Sequence, residues 1–321
     1  LVISDKHNVA QLIASFSHAW MTGQFAAIAP ALNASTTLVS HQHGMQRGCA
    51  DITAALSKDT AAGQITGRTS NSFVAIDKNR AACSLYLFGS LNEPNNEPFQ
   101  FGTTLLFELK KTSLSDWCFE IIRLAINWTS GPAPDELKYW GKLPQQQGWQ
   151  FGDRPPVIVS ELHSPWQRLP AASPPDELTV ALQDLYNRYA FAVDQNDIAL
   201  LATTYTEDVH GGFAPMGYLN GREAVIGMLK SFRHLAPFWQ HFADVVKVER
   251  ENDPQYARMI VARIIPQYPV DQNGNKIYGA HYQLRVRMEE DAQWRICWSD
   301  YRPGWFYADE LPEFDIGNVQ L

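Results

Sequence analysis

The stretch DAQWRICWSDYRPGWF, residues 291–306, places Trp294 and Trp305 eleven positions apart around an alternating, strand-like run. The same interval separates Trp117 and Trp128 in LSDWCFEIIRLAINW, residues 114–128, so the chain closes twice in the same way. A helical pattern lies upstream of each closing strand: Val9, Leu12, Ile13, Phe16 and Trp20 in the first half, Leu178, Leu182, Leu185, Tyr189 and Val193 in the second. Both sets follow the 3.6-residue period. A short second helical segment, a polar break and several strands rich in β-branched and aromatic residues follow each helix. Helices first and strands after predict an α+β fold, with helices packed on a curved, mostly antiparallel sheet. The recurrence predicts a tandem duplication.

A length of 321 residues holds about two domains at roughly 100 to 200 residues each. With 45% hydrophobic and 19% charged residues the composition is that of a globular protein with a large core. A net charge of -8, a pI near 5.6 and the lack of any Lys/Arg run argue against a nucleic-acid partner. Cys49, Cys83, Cys118 and Cys297 show no C-x-x-C spacing, which predicts reduced thiols and neither a zinc site nor a disulfide framework. There is no apolar run of about 18 residues, so no membrane partner is expected. The start LVISDKHNVAQLIASF lacks the basic and apolar blocks of a signal peptide, which makes a cytoplasmic location the expectation.

Residues 131–175 hold nine of the 19 prolines and five aromatic residues. A floppy spacer would be rich in Gly and Ser, whereas Trp140, Trp149, Phe151 and Trp166 should seek apolar surface, so this linker is expected to pack over one or both domains. The expected organisation is therefore a domain over 1–130, a packed linker over 131–175 and a second domain over 176–321.

Over roughly residues 176–306 the chain carries ELTVALQDLYNRYAFAVDQNDIALLATTYTEDVHGGF, YLNGREAVIGML, WQHFADVVKV and YGAHYQLRVRMEEDAQWRI. In the order and spacing of these stretches the second half resembles the SnoaL-like branch of the nuclear transport factor 2-like superfamily. The first half, roughly residues 5–130, resembles the same fold more weakly. What this implies is two tandem cone-shaped α+β barrels, each with helices against a bent sheet and a pocket at the wide end.

On the first helix of the second half, Tyr186, Ala190 and Asp194 stand at i+4 steps beside the apolar stripe, which puts Asp194 at the edge of the buried face. In the branch that includes scytalone dehydratase, an aspartate at this helix end hydrogen-bonds a histidine from the sheet, and His241 matches that histidine. Such a pair suits proton transfer, because an imidazole with an ordinary pKa of about 6.5 exchanges a proton near neutrality while a carboxylate orients it. Taken alone, the residues leave a second reading open. An Asp in a last helical turn also holds the backbone that follows it, and a His opening a strand also serves as an edge residue. Asp197, before IALLATTY, reads as the N-cap of the next helix.

His281 is a third catalytic candidate, in phase with Gln283 on GAHYQLRV. Tyr282, Leu284, Val286 and Met288 alternate as the apolar set, however, and would turn His281 to the opposite face unless a bulge intervenes. Tyr205, Tyr218 and Tyr301 are candidate substrate-binding donors to a carbonyl. The branch carries a second pocket histidine where this chain has Ile265, Pro266, Gln267 and Tyr268, so either Gln267 or His281 substitutes for it, or the reaction is not that dehydration. Arg222 reads as structural. No Arg-x-Asp occurs, which disfavours the epoxide hydrolase chemistry of another branch.

The resemblance implies cofactor-independent proton transfer, as a lyase or isomerase of dehydratase or cyclase type, on a small hydrophobic ring metabolite bearing a carbonyl. A non-catalytic small-molecule-binding or assembly module is the alternative, since fold does not fix function. In the first half Met21 and Thr69 stand where the second has Asp194 and His241, so ligand is expected in the second domain alone. The first domain is expected to act as a structural partner in an intrachain pseudo-dimer, with further self-association left open. His41 and His43, placed on a strand, would project from one side, but without a third ligand they predict no metal site.

Overall fold

The first apolar stripe folds as α1 (Asp5–Thr22) in the computed structural model of the protein, which describes residues 4–61, 63–91, 97–113, 116–141, 150–169, 175, 177–235 and 240–316. Ser4 caps its start by accepting the His7 N–H at 3.3 Å, and Gly23, at φ 71°, ends it. After α1 come β1 (Leu32–Ser40), β2 (Gly44–Arg47), α2 (Gly48–Ser57), β3 (Thr66–Asp77), β4 (Arg80–Leu91), β5 (Phe99–Lys111) and β6 (Trp117–Ser130). They form one six-stranded sheet in the order β2-β1-β6-β5-β4-β3. Only the β1–β6 pair is parallel. The buried face of α1 meets the sheet through Phe16, whose ring lies 5.3 Å from Phe107 and 5.6 Å from Phe119, and through Trp20, 5.9 Å from Phe101.

The chain divides into two units, Leu1–Pro170 and Ala171–Leu321, so most of the proline-rich segment belongs with the first. Its 3-10 turn Asp135–Trp140 inserts Trp140 into the core, 5.2 Å from Phe101 and 5.9 Å from Phe99. The single turn α3 (Pro165–Arg168) stacks Trp166 on Phe73 at 4.5 Å. Phe151 departs from expectation. It is fully exposed, because the tight turn through Gly152, tied by the Gln150 N–H to Asp153 at 2.9 Å, directs its side chain to solvent. Trp149 lies outside the described residues.

The second unit repeats the plan with α4 (Leu178–Asp194), α5 (Ile198–Ala202), β7 (Tyr205–Gly212), β8 (Tyr218–Asn220), α6 (Arg222–Leu235), β9 (Ala243–Arg250), β10 (Tyr256–Arg263), β11 (Ile277–Met288) and β12 (Trp294–Tyr307). Its sheet runs β8-β7-β12-β11-β10-β9, again with one parallel pair, β7–β12. The closing strands β6 and β12 are both 14 residues long and both begin at the first tryptophan of their pair. Gly211 lets β7 approach β12 closely: at φ 138°, a Cβ there would sit 1.9 Å from the Ser299 carbonyl oxygen. Each unit is thus α+β, and the shared strand order supports the duplication. No described helix is long and apolar enough to cross a membrane.

Candidate functional site

The end of α4 is set by Asn196, which takes φ 55°, while the N–H groups of Gln195 and Asp197 fold back onto the Phe191 and Ala192 carbonyls at 2.9 Å each. The chain therefore turns sharply between two aspartates with different duties. Asp197 caps α5, its Oδ1 accepting the Leu200 N–H at 3.0 Å. Asp194, 1% exposed, faces the interior. Its Oδ1 meets His241 Nδ1 at 2.5 Å and its Oδ2 accepts the His241 backbone N–H at 2.7 Å. His241 is itself 6% exposed and lies two residues before β9.

Tyrosines surround this pair. The Tyr189 ring stands edge-on to His241 at 6.0 Å, and Tyr205 and Tyr282 lie 5.9 and 6.3 Å from Tyr189. Tyr186 and Tyr301 complete the group, at 6.2 and 4.9 Å from Tyr282. Burial pushes the Tyr186, Tyr189 and Tyr205 hydroxyls well above their ordinary range, and pushes Tyr282 up to about 12 against the opposing pull of Arg263. Each is therefore a neutral O–H donor near pH 7.

Arg263, at the end of β10, supplies the positive charge. Its Nη2 donates to the Gln240 carbonyl at 3.3 Å. Nη1 is buried without a hydrogen bond of ordinary geometry among the described residues, beside the Tyr186 hydroxyl in the same condition. Burial opposes the guanidinium charge, but Tyr186, Tyr282, Asp194 and Tyr301 outweigh it and hold Arg263 above its ordinary range.

Four of the residues singled out from sequence come together here: Asp194, His241, Tyr205 and Tyr301. The other three are placed elsewhere. His281 is adjacent to Tyr282 on β11, with no register shift between them, so it faces the opposite side of the sheet, 5.6 Å from Phe306. Burial and the neighbouring Arg302 hold its pKa below the usual histidine range. Tyr218 is 63% exposed on β8, beside His210. Gln267 sits in an exposed turn, because β10 has already ended at Arg263.

Sequence reasoning missed Tyr186, Tyr189, Tyr282 and Arg263. The signal for Arg263 was its phase on YARMIVAR, two and four positions beyond Val261 and Met259, both fully buried. His41 and His43 also need correcting. β1 ends at Ser40, so they lie in a turn rather than on a strand and diverge, His41 Nδ1 to the Pro155 carbonyl at 3.0 Å and His43 Nε2 to Asp59 at 3.0 Å. Among the described residues, no three His, Cys, Asp or Glu side chains gather to hold a metal ion.

Residues 177–299 match the family model described as the SnoaL-like domain. Among solved structures, the chain is similar to a protein provisionally called a scytalone dehydratase from Novosphingobium aromaticivorans, at 10% identity and a TM-score of 0.35, covering 40% of this chain and 87% of that one. It is also similar to a hexachlorocyclohexane dehydrochlorinase from Novosphingobium barchaimii, at 12% identity and a TM-score of 0.34, covering 39% and 88%. The association domain of C. elegans CaMKII is similar at 10% identity and a TM-score of 0.32, covering 37% and 93%. A search of curated proteins gave no match. The second unit of this chain carries a SnoaL-like domain.

Proposed function

We propose that the second unit moves a proton without a cofactor, as a lyase or isomerase acting on a hydrophobic ring compound that bears a carbonyl. The observation that carries this reading is the buried Asp194 carboxylate with one oxygen on the His241 ring and the other on the His241 backbone. Asp194 fixes Nδ1 as the nitrogen turned to the carboxylate, so proton exchange with substrate falls to Nε2. His241 takes a proton from the carbon beside the carbonyl, and the imidazolium formed is stabilised by Asp194. Negative charge then gathers on the carbonyl oxygen. Arg263 and the neutral tyrosine hydroxyls are the groups that stabilise it. Return of the proton to a departing hydroxyl gives elimination, and return to another carbon gives isomerisation. The tyrosine rings grouped around the pair favour an apolar ring.

The reading is tested by incubating the protein with a panel of cyclic ketones in D2O and following deuterium incorporation beside the carbonyl by mass spectrometry. Incorporation that depends on His241 is expected. A panel that binds, with no exchange above the protein-free rate, would instead favour the non-catalytic binding module.

A further inference from the structure

A second polar site lies in the first unit, and neither Met21 nor Thr69 lines it. Asp59, which follows α2 and has no exposed surface, accepts hydrogen bonds from four side chains: Trp20 Nε1 at 2.7 Å, Trp140 Nε1 at 2.7 Å, His43 Nε2 at 3.0 Å and the Tyr139 hydroxyl. A carboxylate offers about four acceptor positions, so this one is saturated. His43 is equally committed, since its Nδ1 meets Ser40 Oγ at 2.9 Å. With both ring nitrogens held by the protein, His43 is a rigid part of the wall and not a proton shuttle.

Against this wall opens a pocket of about 450 Å³, lined by Gln42, His43, Tyr139, Lys58, Arg154 and Asp51 among others. Arg154 is anchored at its edge by Nη1, which donates to the Gln42 carbonyl and, at 3.2 Å, to the His41 carbonyl. Lys58 and Arg154 are the cations of this lining, with Asp51 among its residues and Asp59 behind its wall. Gln42 is 1% exposed, and its side-chain Nε2 is buried with no partner among the described residues. A buried donor without an acceptor is costly and calls for a missing partner.

We infer that this pocket binds a small metabolite carrying an anionic oxygen group, a carboxylate or a phosphate, which accepts from Gln42 Nε2 and is held by Lys58 and Arg154. The volume lies in the range of small-molecule sites, and the three donors Gln42, Lys58 and Arg154 are the groups that suit an anionic oxygen. This site does not depend on the activity of the second unit.

Benzoate and phenyl phosphate, titrated separately into the full chain, provide the test. Tryptophan fluorescence is the readout, because Trp20 and Trp140 both bond Asp59 behind the pocket, and equilibrium dialysis gives the stoichiometry. Saturable binding of at least one of the two is expected, at one per chain, weakened about tenfold or more in Gln42→Leu and Arg154→Gln. Lys58→Gln, at an exposed position that the fold does not need, should weaken it in the same direction. His241→Asn should leave it unchanged. Binding of benzoate alone assigns a carboxylate ligand, and binding of phenyl phosphate alone assigns a phosphate. The inference is overturned if neither anion saturates below about 10 mM, if all three first-unit variants bind as the wild type does, or if His241→Asn abolishes binding.

Discussion

Asp194 holds His241 at two points, the ring through Oδ1 at 2.5 Å and the backbone N–H through Oδ2 at 2.7 Å. One bond alone would leave the imidazole free to pivot. Two, made to a carboxylate that is 1% exposed, fix both where the residue starts and where its ring points. Forty-seven positions of chain separate the partners, so the clamp also ties the end of α4 to the start of β9.

The clamp predicts that two substitutions at one position behave differently. His241→Ala leaves a buried carboxylate with its ring partner gone, and thermal or urea unfolding should show a loss of about 3 kcal/mol or more. In His241→Asn the side-chain amide can still donate to Asp194 from near the place of Nδ1, so the loss should be clearly smaller. Equal destabilisation by both would mean that the ring contact contributes little to the fold.

Arg263 is expected to act on the charge that develops during reaction. Arg263→Gln should lower kcat about 100-fold or more while KM changes little, the pattern of a group that acts in the transition state. A rise in KM at constant kcat would assign Arg263 to ground-state binding alone.

In the first unit, Asp59→Ala removes the acceptor of three buried donors, Trp20, Trp140 and His43, and of the part-buried Tyr139 hydroxyl. Unfolding free energy should fall by about 3 kcal/mol or more, read from urea denaturation, since unsatisfied buried polar groups each cost about 1–3 kcal/mol. Asp59→Asn should not rescue it fully, because the amide nitrogen would face donors. A loss below about 1 kcal/mol would contradict a structural role for this cluster.

The Asp208–Arg287 pair, bonded at 2.9 and 3.0 Å, gives a pH signature. Hydrogen bonds from Arg287 hold Asp208 down to about 2, from an ordinary 3.8. A carboxylate lowered in the folded state stabilises above its unfolded pKa, and the contribution is lost as pH falls through the folded value. The loss should therefore run from about pH 4 to about pH 2. Exposure of Asp208 limits it to about 1 kcal/mol or less. Asp208→Asn should flatten the acid limb of the stability curve in that window, and an unchanged limb would show that the pair contributes nothing.

The helices, the duplicated strand order, the Asp197 cap and the inward position of Asp194 beside His241 were legible because periodicity, turn chemistry and family spacing are local or recur in the sequence. His281 shows the limits of resemblance, since simple alternation with Tyr282 gave its side of β11 correctly against the family-based expectation. Arg263 was missed because a cation in phase with buried apolar residues reads as a strand end, and only the fold brings Tyr186, Tyr282 and Tyr301 around it. Asp59 reads as a surface acid in SKDT, and its burial depends on donors 16 to 81 positions away. Sequence also gave no measure of how deeply the Asp194–His241 pair is buried. The geometry makes truncation of His241 costly to the fold as well as to the proposed function.

The central claim, that Asp194 and His241 act as one proton-transfer unit, is tested most directly by a double-mutant cycle on deuterium exchange beside the carbonyl of the best cyclic ketone found. His241→Asn should lower the rate by about 100- to 10,000-fold. Asp194→Asn should lower it less, and the double variant should fall no further than His241→Asn alone, because residues acting as a unit lose their effect together. Wild-type exchange in His241→Asn, or losses that multiply in the double variant, would contradict the account.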